Sequence, residues 1–241
     1  MDLLILAAGK GSRIYNSIGI NKCLLKIKKT TLIEKIVNDA ESLKFFDKIK
    51  VVVGFKKKKI IKRLNKKNIL YIDNKDFAKK EMLHSLSLGL KYCNNDTIIS
   101  YSDIYYSKQI LKIIKKKKNT RILLPILKNW RKIWKRRNKD MLKDCESLTH
   151  NKKLILTEIG KKIFSIKEPM GQYMGIIFIP KSQINRFKKL IYKKKKFEKM
   201  HISHLLNIAV KNKFKIQCIP TKKYWYEFDD IADYNNFKKK V

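Results

Sequence analysis

Through the first half of this chain, short continuous apolar runs alternate with segments whose apolar residues recur at helical spacing. "LLILAA" (residues 3–8) is apolar at every position, which suits a strand covered on both faces. "TLIEKIVNDAESL" places Leu32, Ile36, Val37, Ala40 and Leu43 along one helical stripe. "IKVVVG" reads as the next strand, ended by Gly54. A basic helix from residue 57 to about 66, the strand "ILYI", a helix near 82–92 and the strand "TIISYSD" follow. Strands separated by helices pair in parallel through crossovers, with helices packed on both faces. The expected fold is α/β, a Rossmann-like three-layer sandwich around a mainly parallel mixed sheet.

The rhythm loosens after a helix over 107–118. "RILLPIL" reads as a strand, and "KLILTEIG" and "QYMGIIFIP" predict an antiparallel portion of the same sheet. Helices near 181–194 and 200–212 precede "FKIQCIP" and the closing "YWYEFDDIADYNNF". No internal repeat or Gly/Ser-rich linker interrupts the chain, so one domain over residues 1–241 is expected.

The first strand ends in "AAGKGSRIY". A dinucleotide fingerprint needs G-x-G-x-x-G, and the third glycine is missing here. A Walker A loop needs G-x-x-x-x-G-K-[ST], and this loop is too short. What remains is small residues that admit a base and phosphate oxygens close to the backbone, then Arg13, then Lys22. Arg13 offers a planar fork to a triphosphate and Lys22 a point charge. Leu6, Ala7, Ala8, Gly9, Gly11, Ser12, Arg13 and Lys22 form the expected nucleotide site; an ordinary strand-to-loop turn is the alternative.

"ILAAGKGSR" with "NKCLLKIKKTTLIEKIV" resembles the start of the nucleotidyltransferase (NTP transferase, MobA-like) family, whose pattern is L-A-A-G-x-G-x-R followed by P-K-x-L and a helix introduced by a proline. Two positions depart from it. Asn21 stands where proline usually precedes the lysine, and "TTLIE" lacks the proline before the helix. The resemblance implies a glycosyltransferase A-type nucleotidyltransferase fold and a divalent cation, Mg²⁺, held by carboxylates. Two acids stand at the ends of apolar blocks in a chain poor in acids: Asp103 after "TIISYS" and Asp229 in "WYEFDDIADY". Helix caps are the plain reading of Asp103 and of Asp229 or Asp230. The family carries a metal aspartate at each place, so the resemblance makes Asp103 and Asp229 the metal ligands and, with Arg13 and Lys22, the catalytic set. Glu227 or Asp230 would help from behind, and no histidine base is required, because the attacking phosphate is already anionic. His201 and His204 share a helix face and read as structural.

The middle of the chain resembles the branch of that family that includes cytidylyltransferases for phosphocholine and aminoethylphosphonate. The matching residues are Trp130, Trp134, Arg137, Asp144, Glu146, Ile159, Gly160, Lys162, Gln172, Tyr173 and Gly175. An acceptor-binding segment at about 128–175 is implied, with Trp130, Trp134, Arg137, Gln172 and Tyr173 touching the substrate. Indole faces suit a cationic head group, and Arg136 or Arg137 suits its phosphate; alternatively the tryptophans anchor an insertion to the core. Glu81 and Met82 stand where the branch tends to place asparagine.

The activity implied is transfer of a nucleoside monophosphate, CMP from CTP, to a small phosphorylated or phosphonate head group such as phosphocholine, with release of pyrophosphate. A sugar-1-phosphate nucleotidyltransferase using UTP, GTP or dTTP is the alternative. A glycosyltransferase of this fold fits less well, since Ile104 and Tyr105 after Asp103 leave no D-x-D pair.

Lys+Arg number 59 against Asp+Glu 20, a formal charge of +39, which raises a further alternative, a basic RNA-binding protein. Lysine dominates over arginine and recurs in runs throughout, which suits solvated faces better than bidentate phosphate recognition. No specific nucleic-acid partner is expected. The four cysteines are widely spaced, and no apolar run is long enough for a signal peptide or a membrane span. A soluble cytoplasmic protein is expected, without a membrane partner; its oligomeric state is open, a homodimer being one form.

Overall fold

The computed structural model describes residues 1–65, 68–137, 140–193 and 197–239. β1 (Asp2–Ala7) runs through the glycine loop into α1 (Ser12–Ile18). A short hairpin, β2 (Lys26–Ile27) and β3 (Thr30–Thr31), leads to α2 (Leu32–Ser42). The alternation continues with β4 (Lys48–Val53), α3 (Lys57–Leu64), β5 (Ile69–Asp73), α4 (Met82–Lys91) and β6 (Thr97–Tyr101). Then come β7 (Ile104–Tyr106), α5 (Gln109–Lys117), β8 (Ile122–Leu127), α6 (Trp130–Arg137) and α7 (Met141–Asp144). A ribbon of β9 (Glu146–His150) and β10 (Leu156–Lys162) is followed by β11 (Gln172–Tyr173), β12 (Ile176–Ile179) and α8 (Lys181–Tyr192). α9 (Ile202–Lys211), β13 (Ile216–Thr221), β14 (Trp225–Glu227) and α10 (Ile231–Lys238) complete the described elements. The helix ends expected at Lys66 and Lys194 lie outside the described residues.

Among the described residues the main sheet has eight strands in the order β11-β8-β12-β6-β1-β4-β5, with β13 also on β8. β1 pairs in parallel with both β4 and β6, and β4 with β5. β12 is antiparallel to β6 and β8, so the sheet is mixed and mainly parallel, as the β-α alternation predicts. Only the second of the two late apolar blocks joins it. "KLILTEIG" forms β10, which pairs with β9 as a separate ribbon, and "QYMGIIFIP" breaks into β11 and β12 at Gly175, whose φ is 71°. A Cβ there would come within 2.9 Å of the Tyr101 ring, so the break requires glycine.

Alternate residues of β1 feed two cores. Leu3, Ile5 and Ala7 pack with Ile33 and Val37 of α2, Leu111 of α5 and Phe237 of α10. Leu4, Leu6 and Ala8 pack with Leu86 of α4, Ile184 of α8 and Leu205 of α9. This is the three-layer arrangement. α2 starts without the missing proline because Thr31 and Glu34 form a reciprocal capping box.

The parallel strands β1, β4 and β6 end along one edge, where open α/β sheets collect their ligands. β7 and β14 pair antiparallel just beyond that edge, with Glu227 opposite Ile104. Phe228 N–H donates to the Asp103 carbonyl at 3.1 Å. That ribbon joins the loop after β6 to one more than a hundred residues later, setting Asp103 and Asp229 side by side. No described helix is long and apolar enough to cross a membrane, and all four cysteines are buried free thiols.

Candidate active site

The glycine loop is shaped around a lysine. Gly11 precedes α1 with φ 63°, and a Cβ on it would lie 2.5 Å from Lys22 Cγ. Gly9, by contrast, faces open space. Lys22 opens a single 3₁₀ turn whose cap is Asn21. Asn21 Nδ2 donates to the carbonyls of Gly9 and Phe55, both at 3.3 Å, and its Oδ1 accepts from Cys23 N–H at 3.1 Å. Hydrogen bonds thus do the stiffening that proline does elsewhere in the family pattern.

Lys22 Nζ sits 3.4 Å from Asp103 Oδ2 and 3.3 Å from Asp229 Oδ1. Burial opposes the ammonium, but Asp103, Asp229 and Glu227 outweigh it and raise the Lys22 pKa above its ordinary value. Arg13, exposed at the mouth, reaches Asp229 Oδ1 at 3.6 Å. Behind the pair lies Arg137, with Nη2 2.8 Å from Asp229 Oδ2 and Nε 2.9 Å from Asp233 Oδ1. Burial would lift the Asp229 pKa, but Lys22, Arg137 and Arg13 hold it below the usual carboxylate range. Glu227 is pushed well above that range by burial and by Asp229 and Asp103.

Two cavities flank this cluster. One, of about 540 Å³, lies between the glycine loop and the start of α4; Leu6, Ala8, Gly9, Gly11 and Ser12 form one wall, and Phe77, Lys79, Lys80 and Glu81 the other. The second, of about 310 Å³, lies toward β11 and α9, bounded by Tyr101, Trp134, Glu146, Gln172, Tyr173 and Ser203, with Glu227 and Asp229 at one end. Met82 lines both. Gly11, which packs on Lys22, lines the larger cavity and Asp229, which binds Lys22, lines the smaller, so each cavity adjoins the Lys22 cluster, an arrangement suited to bringing two anionic reactants together.

Residues 3–149, more than half of the chain, match the profile of the MobA-like NTP transferase domain. The chain belongs to that family. It is 27% identical, over 97% of each chain, to the CTP:phosphoglutamine cytidylyltransferase of Campylobacter jejuni. Its fold matches the inositol-1-phosphate CTP transferase of T. maritima at a TM-score of 0.75, with 18% identity over 99% of this chain and 95% of that one. The CTP:phosphocholine cytidylyltransferase of Streptococcus pneumoniae also matches at 0.75, with 16% identity over 99% and 97%.

In this MobA-like domain five of the eight expected nucleotide residues, Leu6, Ala8, Gly9, Gly11 and Ser12, line one cavity, and three do not. Lys22 lies behind Gly11, between Asp103 and Asp229. Ala7 packs into the opposite core because strand residues alternate faces, and Arg13 reaches in from the rim. The acceptor set divides. Trp134, Gln172 and Tyr173 line the smaller cavity. Trp130 does not: it is fully buried, edge-on to Trp134, and anchors α6 to the core. Arg137 is not open to a phosphate either, since its 1% exposed side chain is committed to Asp229 and Asp233. Burial works against its charge, and Asp233, Glu227 and Asp229 overcome that and raise its pKa. The cap reading of the late acids applies to Asp230, which caps α10 with Asp233, and not to Asp229. Sequence reasoning missed Phe77, Lys79 and Lys80 in the larger cavity and Ser203 and His201 in the smaller one. His201, read as structural, stands at the N-cap position of α9 without a side-chain capping hydrogen bond and lines the cavity.

Proposed function

We propose that the chain transfers a cytidylyl group from CTP to the phosphate of a small acceptor, releasing pyrophosphate. The observation that carries this reading is the Lys22 ammonium, held between Asp103 and Asp229, with Gly11 of the larger cavity packed on its stem and Asp229 in the lining of the smaller one. CTP occupies the larger cavity, with its triphosphate over the Gly9–Gly11 backbone, Ser12 and Arg13. The acceptor, held by the 128–175 segment, occupies the smaller one. An acceptor phosphate oxygen attacks the α-phosphorus in line, a new P–O bond forms, and the bond to the β-phosphate oxygen breaks. Lys22 neutralises the charge gathering where the two phosphates meet, and the chain supplies no base because none is needed.

Mg²⁺ suits the donor set. Asp103 and Asp229 are hard oxygen ligands, and their facing oxygens already enclose a cationic centre, the Lys22 ammonium. Among the described residues no group of three His, Cys, Asp or Glu side chains forms a metal site. Mg²⁺ keeps several waters and is held by one or two carboxylates plus substrate phosphates, so a pair suffices. Bound there, it would supply charge neutralisation to the triphosphate. The CTP preference draws on the Campylobacter relative.

The test is pyrophosphate release with CTP, UTP, GTP and dTTP crossed against phosphocholine, aminoethylphosphonate, sugar 1-phosphates and phosphorylated amino acids. Release with CTP and a non-sugar acceptor is expected. Release only with another nucleotide and a sugar phosphate would replace this reading.

A further inference from the structure

Two neighbouring surface features lie outside both cavities of the candidate active site. The first is the outward side of α6, where Arg131, Lys132, Lys135 and Arg136 line a cavity of about 420 Å³. Among the described residues that lining is wholly cationic, and Arg136 belongs to it rather than to the acceptor cavity. The second is the turn between β10 and β11. Ile163 and Pro169 are buried, yet Phe164 is 80% exposed, Ile166 42% and Met170 47%.

Hydrogen bonds hold the turn in that form. Phe164 N–H and Ser165 N–H donate to Glu168 Oε1 at 3.0 and 2.7 Å, and Lys167 N–H donates to Ser165 Oγ at 3.2 Å. Glu168, the one acid in residues 163–170, is thereby turned onto the backbone. Arg131 joins the two features, since its Nε and Nη2 both donate to the Ile166 carbonyl, the first at 3.0 Å. Lys162 Nζ lies 5.7 Å from the Phe164 ring. The basic cavity and the apolar turn therefore form one continuous face.

Clustered exposed apolar groups rimmed by charge mark a surface that another body covers. A second copy of this chain would bring like charge against like. A nucleic acid would suit the cations and would stack on Phe164, but Ile166 and Met170 offer no flat face to a base. An anionic lipid surface satisfies both halves. Its headgroups meet the α6 cations while the apolar side chains enter the boundary between headgroups and acyl chains.

We infer that this face docks the protein on an anionic phospholipid surface, with Phe164 and Ile166 inserted and α6 against the headgroups. The docking is independent of the proposed transfer, and it runs against the expectation of no membrane partner. No described helix is long and apolar enough to cross a membrane, so the attachment is peripheral.

The experiment measures co-sedimentation of the full chain with vesicles of phosphatidylcholine, with and without phosphatidylglycerol. A chain of charge +39 is drawn to anionic vesicles from any side, so variants decide. Phe164→Ser with Ile166→Ser, and separately Lys132→Gln, Lys135→Gln and Arg136→Gln together, are each expected to weaken binding to the anionic vesicles about tenfold or more. Lys112→Gln, Lys116→Gln and Lys117→Gln together remove as much charge from α5, which exposes no large apolar residue, and are expected to weaken it by about twofold at most. Phe164→Trp adds an exposed indole to three buried ones, and brominated lipid is expected to quench it. Melting temperatures near wild type are expected for every variant, because the substituted side chains are exposed. No binding, no quenching, or equal losses from α5 and from this face overturns the docking site. So does oligouridylate binding, or a dimer in sedimentation equilibrium, that the Phe164→Ser and Ile166→Ser pair abolishes while vesicle binding is unchanged.

Discussion

Lys22 shows how closely the site depends on single residues. Its ammonium is the positive charge that the Asp103–Asp229 pair faces, and its aliphatic stem fills the space over Gly11. Lys22→Ala is expected to lower the rate of pyrophosphate release by about a hundredfold or more. Its melting temperature should stay near wild type, because Arg137 still holds Asp229. A near-normal rate would remove Lys22 from the mechanism. Gly11→Ala should act on the same group indirectly, since the added methyl meets Lys22 Cγ and the backbone must hold φ 63°. It is expected to cost both stability and turnover, whereas Gly9→Ala, facing open space, should cost turnover or CTP affinity alone; melting curves beside CTP kinetics separate the two. Lys22, Asp103 and Asp229 were legible in the sequence because each sits at a strand end or in a motif. Asn21 was legible only as a departure, since its hydrogen bonds to Gly9 and Phe55 join segments far apart in sequence.

At the scale of elements, caps and short ribbons position the chemistry. Thr31→Ala removes the α2 capping box and should destabilise the fold by about 1 kcal/mol, read in a denaturant melt, with little effect on turnover. Asp96 joins three elements: its carbonyl accepts from Asp2 N–H, and its carboxylate accepts from Lys118 Nζ at 2.8 Å and Lys181 N–H at 2.9 Å. Burial would raise its pKa, but those two donors hold it below the usual carboxylate value. The folded protein therefore binds this proton less readily than the unfolded chain. The stability Asp96 contributes is present above the unfolded pKa of about 3.9 and is lost as pH falls through the lower folded value. Asp96→Asn should flatten the acid limb of stability against pH, as unfolding midpoints between neutral pH and about pH 3 would show. Helices α2–α5, α8 and α9 and the parallel strands were readable from periodicity, whereas α1, α6, α7 and α10 went unread. β9 and the break at Gly175 were not, because a Glu-Ser-Leu-Thr-His strand carries a weak apolar pattern and a left-handed kink has no periodic signature.

Across the whole molecule, a strongly basic surface surrounds an acidic cavity. The net +39 draws triphosphate and phosphate substrates toward the protein, and salt screens that attraction once the Debye length falls to about 8 Å near physiological ionic strength. KM for CTP should rise severalfold as salt is raised from about 0.05 to 0.5 M, while kcat changes less; a salt-independent KM would mean that the surface charge plays no part in capture. The sequence alone determined the α/β alternation and the glycine loop, because these rest on local spacing along the chain, and its motifs carried the resemblance to the family. Only the tertiary structure decided what Trp130 and Arg137 do, since the burial of Trp130 in the core and the ion pairs of Arg137 with Asp229 and Asp233 depend on residues distant in the chain. It also decided how Asp229, which the family resemblance singles out, comes to face Lys22: the β7–β14 pairing sets the register of that loop, and no short stretch of sequence encodes a contact between strands so far apart.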